Sequence, residues 1–172
     1  MATLQTPDRN PARDTSDTPL RSVRMLTVID GSERTGRIVE LVLDLARKGL
    51  PVEAVVLGVI PEPPDGRLRG YGSFKRKEVH ARLKDLMGSR AVAAAVRRLD
   101  QAGVTHKDRI EVGDPAETIL RVADEEACDI VLLGDAPAGG FRCWLSKTTG
   151  LLVATVASEV AQLATLPVLL IK

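Results

Sequence analysis

Aromatic side chains are scarce in this chain: Trp144, Tyr71, Phe74 and Phe141 are the only ones in 172 residues. Single strands of nucleic acid are held by stacking bases on such rings, so a stacking platform is excluded. Excess charge is missing too, since 24 Lys and Arg face 23 Asp and Glu. A nucleic-acid binder carries a basic footprint, and no nucleic acid is expected as a partner. Cys128, Cys143, His80 and His106 are the whole set of cysteines and histidines. Their spacing suits no zinc site, and no metal centre is expected. The N-terminus, MATLQTPDRNPARDTSDTPLR, lacks the apolar stretch of a secretory signal. Leu151–Ile171 is the most apolar window, but Ser158, Glu159, Gln162 and Pro167 interrupt it. It reads as a helix and a short buried strand, so no membrane is expected as a partner. The expected compartment is the cytoplasm, where thiols stay reduced.

What is present is aliphatic. Apolar residues make up 44% of the chain, and with so few rings the core must be Val, Leu, Ile and Ala. That suits a parallel sheet covered on both faces. Residues 1–21, with Pro7, Pro11 and Pro19, read as a disordered N-terminal tail, and residues 22–172 as one domain. Val23–Ile29 is a β-branched apolar run ending at Asp30-Gly31-Ser32. A helix follows, with Ile38, Val39, Leu41, Val42, Leu45 and Ala46 at helical spacing, Ser32 as N-cap and Gly49 as stop. Val52–Ile60 is the second strand. Beyond the loop that opens at Pro61, apolar positions from Val79 to Leu99 mark a long helix ending at Gly103, bent or weakened at Gly88-Ser89. Thr105–Val112 is a third strand, and His106, Lys107, Asp108 and Arg109 place it at a sheet edge. Asp114 then caps a helix with Pro115 in its first turn and Glu117 reaching back. Asp129–Leu133 is a fourth strand, Leu151–Ala164 a helix and Pro167–Ile171 a last strand.

Strands alternating with helices predict an α/β fold: a single doubly wound domain with a parallel sheet and helices on both faces. Ligands bind such sheets beyond the carboxyl ends of the strands, where the strand order reverses. The most apolar strands belong in the middle, so the site is expected between Asp30 and Gly134.

Three segments carry a resemblance: VIDGSERTGRIVELVLDLA, GDPAETILRVADEEACDIVLLG and TVASEVAQLATLPVLLIK. Together they resemble the universal stress protein family over about residues 22–172. The resemblance implies a five-stranded parallel sheet in the order 3-2-1-4-5, switching between the first and fourth strands. Members of that family that bind ATP have an Asp after strand one and a Val at the end of strand two. After strand four they carry Gly, two residues, Gly, nine residues, Gly, then Ser or Thr. Glycines let backbone N–H groups approach phosphate oxygens, and the helix N-terminus favours negative charge.

Asp30, Val59 and Gly134 match that pattern, and then the chain departs from it. Pro137 stands where the second glycine belongs, which removes a backbone donor. Gly139 and Gly140 follow, and nine residues separate Gly140 from Gly150, but Leu151 replaces the hydroxyl residue. Counting back from Pro167 instead puts Ala154-Thr155 at the final pair. Both registers stay open. Asp135 adds negative charge near the phosphate position, while Ser146, Lys147, Thr148 and Thr149 offset it.

Asp30 either faces an adenosine group or caps the first helix. Phe141 and Trp144 either cover a ligand, fill its pocket or dock the 134–150 loop on the core. The cation beside Cys143, Arg142, favours a thiolate, yet a lone loop cysteine is usually a bystander. Arg67, Arg69, Lys75, Arg76 and Lys77 read as a solvated basic face, and His80 and His106 as surface residues. The apolar last strand, Val168–Ile171, lies at the sheet edge in the family's order, and the resemblance implies a homodimer through it.

Two functional readings remain. One is a dimeric stress-response regulator with ATP, and Mg, as ligand. The other is an interaction domain that takes no nucleotide and acts through an unknown protein partner. Related adenine-nucleotide hydrolases carry a Ser-Gly-Gly-x-Asp-Ser loop after strand one. Asp30-Gly31-Ser32-Glu33 stands there instead, so no enzymatic role is expected beyond a slow ATPase.

Overall fold

The computed structural model describes residues 21–61, 89–135 and 155–172. Five strands form one parallel sheet in the order β3-β2-β1-β4-β5. They are β1 (Val23–Ile29), β2 (Val52–Pro61), β3 (Thr105–Gly113), β4 (Ile130–Gly134) and β5 (Val168–Ile171). Four described helices connect them: α1 (Glu33–Arg47), α2 (Ser89–Gln101), α3 (Pro115–Glu125) and α4 (Val156–Leu163). The doubly wound fold and the strand order are those expected. The tail, the 79–88 part of the long helix, His80 and the basic 67–77 cluster lie outside the described residues.

Alternation along the central strands explains the layers. Met25 and Ile29 of β1 join Leu132 of β4 in a core with Ile38, Val42, Val92 and Leu99, so α1 and α2 cover one face. Leu26 and Val28 point the other way and join Val131, Leu133, Ile119 and Val160 beneath α3 and α4. Thr27 is the one polar side chain buried within β1. Its hydroxyl donates to the Val55 carbonyl at 3.0 Å, which satisfies it.

β4 begins one residue later than expected because Asp129 does different work. Its backbone N–H donates to the Arg24 carbonyl, and its carboxylate accepts from the Arg24 N–H, both at 2.8 Å. This clamp fixes β4 against β1. Arg24 in turn pairs with Glu53 at 2.9 Å and donates to the Glu126 carbonyl at 2.7 Å.

The two sheet edges differ. On β3, Lys107 and Arg109 pair with Glu125 and Glu126 of α3 and its cap at 2.7–3.0 Å. His106 is not the surface residue the sequence suggests: its side chain is 15% exposed, and Nδ1 lies 3.0 Å from the Val104 carbonyl. β5 instead leaves Leu169 and Leu170 exposed.

Asp114 caps α3 as expected, its Oδ1 accepting from the Glu117 N–H at 3.0 Å. Pro115 takes the first helical position. The return bond from the Glu117 carboxylate is not made among the described residues. Just before the cap, a Cβ on Gly113 would stand 2.9 Å from the buried Thr118 hydroxyl. Asp114→Ala should therefore cost about 1 kcal/mol. Urea unfolding should show a lower midpoint with an unchanged slope.

Candidate functional site

The chain winds outward from β1 to β3 with α1 and α2 on one face. It then returns to β4 and β5 with α3 and α4 on the other. The reversal lies between β1 and β4, the place where sheets of this kind take their ligands. Register brings the expected residues together there. Ile29 pairs with Gly58, so Asp30 comes level with Val59 on the longer β2. Thr27 pairs with Leu132, and continuing that register brings Gly134 level with Ile29. Asp30, Val59 and Gly134 thus stand at the ends of three adjacent strands. Val59 is buried, and Asp30 and Gly134 are half-buried.

The turn after β1 is built around Asp30 rather than Ser32. Asp30 Oδ1 accepts from the Ser32 N–H at 2.9 Å and from the Thr35 hydroxyl at 3.0 Å. Thr35 Oγ1 in turn accepts from the N–H groups of Gly31 and Asp30 at 3.2 and 3.3 Å. One hydroxyl proton and two lone pairs are all used. Gly31, at φ +76, supplies the left-handed step that this tight turn requires. Ser32 occupies the N-cap position with an extended backbone, but its side chain makes no capping bond. Its hydroxyl bears on the Asp30 carboxylate without hydrogen-bond geometry and is left without a partner.

Burial, the largest single influence on Asp30, pushes its pKa up. Hydrogen bonds from Ser32 and Thr35 outweigh it and hold the carboxyl below the usual carboxylate range. Asp30 is therefore ionised at neutral pH. Its second oxygen, Oδ2, makes no hydrogen bond among the described residues.

The last helix begins later than Leu151. α4 starts at Val156 with Thr155 as N-cap, and Thr155 Oγ1 accepts from the Ser158 N–H at 3.1 Å. The apolar run from Leu151 hid this start from the periodicity; Thr155, a residue type favoured at N-caps, was the available signal. Thr155 thus stands at a helix N-terminus that opens, by the β4–α4–β5 crossover, at the carboxyl end of the sheet. In the register that counts back from Pro167, Thr155 is the hydroxyl residue of the final pair. Gly139, Gly140 and Gly150 lie outside the described residues, as do Pro137, Phe141, Cys143 and Trp144.

Sequence reasoning missed two residues here, Thr35 and Arg34. Thr35 was legible as a hydroxyl five residues after Asp30. Arg34 lies against Gly134, where an added Cβ would sit 3.1 Å from the Arg34 stem.

Other chemistry is sparse. Among the described residues no His, Cys, Asp and Glu group could hold a metal ion, and no helix is long and apolar enough to cross a membrane. The Cys128 thiol is pushed up to about 11, chiefly by burial, so it stays protonated at neutral pH. A shallow depression of about 310 Å³, lined by Leu43, Leu50, Val52 and Val104, lies at the opposite, amino end of the strands. It has no part in the crevice.

The Asp30 turn has a pH signature. A carboxyl with a depressed folded-state pKa stabilises the fold above its unfolded value, about 3.9, and that contribution is lost as pH falls through the folded value. Asp30→Ala should cost about 1–2 kcal/mol near neutrality. Urea unfolding at pH 7 and at pH 3 should show the gap from the parent protein narrowing at the lower pH.

Comparison with known proteins agrees with this architecture. The profile of the universal stress protein family matches residues 23–172. Universal stress protein UspA from Lactobacillus plantarum shares 19% identity, with a TM-score of 0.61 over 88% of this chain and 99% of that one. The universal stress protein from Archaeoglobus fulgidus in complex with dAMP shares 20%, with a TM-score of 0.55 over 89% and 99%. A universal stress protein family protein from Arabidopsis thaliana with AMP bound shares 16%, with a TM-score of 0.57 over 87% and 91%. No curated protein matches. With the family profile spanning everything from the first strand to the last residue, the chain belongs to the universal stress protein family.

Proposed function

We propose that this chain is a dimeric, cytoplasmic stress-response regulator that receives an adenine nucleotide, ATP with Mg, in the crevice between β1 and β4. One observation carries the reading: Asp30, Val59 and Gly134 converge at the ends of three adjacent strands. The ionised Asp30 keeps Oδ2 for ligand hydroxyls. Thr155 spends its hydroxyl on capping α4, which leaves the first N–H groups of that helix for negative charge. Structures of similar fold hold dAMP and AMP, which supports the ligand class. Gly139, Gly140 and Gly150 complete the proposed phosphate cradle. The protein binds and signals in this reading; it turns nothing over.

Pro137 in the place of a motif glycine favours the second reading, an interaction domain without nucleotide. A titration separates the two. Mg-ATP added to the whole chain should change the fluorescence of the sole tryptophan, Trp144, with matching heat by calorimetry. Asp30→Ala should weaken binding about tenfold, the worth of one hydrogen bond to a charged group. Neither heat nor fluorescence change up to millimolar ATP would sink the nucleotide reading.

The dimer rests on the exposed Leu169 and Leu170 of β5, an apolar strand edge open to a second copy. The 18.5 kDa chain should sediment as a dimer. Leu170→Lys should sediment as a folded monomer.

A further inference from the structure

Arg34 is placed where a cation is least comfortable. It is the second residue of α1, whose first turn carries the positive end of the helix dipole. The side chain is half-buried, and its Nε is sealed from solvent with no hydrogen-bond partner. No carboxylate pairs with it among the described residues, whereas Arg24, Arg47, Arg98, Arg109 and Arg121 each hold one. A guanidinium cannot shed its proton to relieve the strain of desolvation. A buried charge without a partner is costly, and so is an orphaned buried donor. Yet the stem is held firmly. It lies on Gly134 so closely that any side chain there would have to displace it. Glu33, its exposed neighbour, makes no ion pair with it, and Asp30 already uses Oδ1 on Ser32 and Thr35.

These features meet at the mouth of the crevice, and an anion is the piece that would satisfy all of them. We propose that Arg34 is the phosphate-recognising side chain of this site. The inference rests on the nucleotide reading and specifies it: the ligand is recognised through a phosphoryl group, not through adenosine alone. The planar fork of Arg offers two parallel N–H donors to two oxygens of one phosphoryl group. Gly134 then serves to make room for the Arg34 stem.

Calorimetry with adenosine, AMP and ATP on the full chain tests this. The parent protein should bind AMP and ATP more tightly than adenosine. Arg34→Gln should weaken AMP and ATP about 10- to 100-fold and leave adenosine unchanged. Arg34→Lys, which keeps the charge and loses the fork, should fall between the two and guards against a folding defect in the first variant. Unchanged nucleotide affinity in Arg34→Gln, with the parent still binding, overturns the assignment alone. Tighter binding of all three ligands by Arg34→Gln also overturns it, since Arg34 would then be a plug. A parent protein that binds neither adenosine nor nucleotide overturns the nucleotide reading and this assignment with it.

Discussion

A parallel strand cannot be reached from its neighbour by a tight turn. The chain must cross a face of the sheet and re-enter at the same end. Here all five strands run parallel and so end on one side, and among the described residues α1, α3 and α4 begin there. The first strand is also the central one. Winding outward from it along one face and returning along the other leaves β1 and β4 as neighbours whose following helices depart in opposite directions. The crevice is the gap between those departures. The Asp129 clamp on Arg24 keeps it in place, because it sets the level at which β4, and hence Gly134, ends against β1.

Much of this was legible because a twice-covered strand reads as an unbroken apolar run. Val23–Ile29, Val52–Ile60 and the core of β4 gave their positions directly, and the charges of β3 marked it as an edge. Asp30 and Gly134 followed from where those runs stop, and Val59 from the resemblance to the family. The start of α4 was not legible in the same way. Leu151 to Val156 is apolar at nearly every position, so periodicity could not separate the helix from the segment before it, and only the Thr155 cap defines the boundary. Ser32 misled for a related reason. A serine before a helix usually caps it, but here Asp30 reaches the Ser32 N–H first, and Thr35 answers from inside the helix. Arg34 was invisible, because its meaning depends on Gly134, a hundred positions away along the chain.

The turn after β1 shows how a small site can be rigid without a large core. Asp30, Gly31, Ser32 and Thr35 hold one another through four hydrogen bonds of 2.9–3.3 Å, so in the proposed site the carboxylate is oriented before a ligand arrives. Association then need not order that side chain, and the entropic cost of binding is smaller by that amount.

The unequal edges of the sheet set a limit on assembly. Ion pairs to α3 blunt β3, whereas β5 presents leucines. In the proposed dimer, strand-to-strand association would have a valence of one. Two copies meeting through β5 about a twofold axis would consume each other's apolar edge, and the charged β3 edges at both ends of the joined sheet would refuse a third. Growth of the proposed assembly would stop at two by subtraction, without any contact that has to recognise completion.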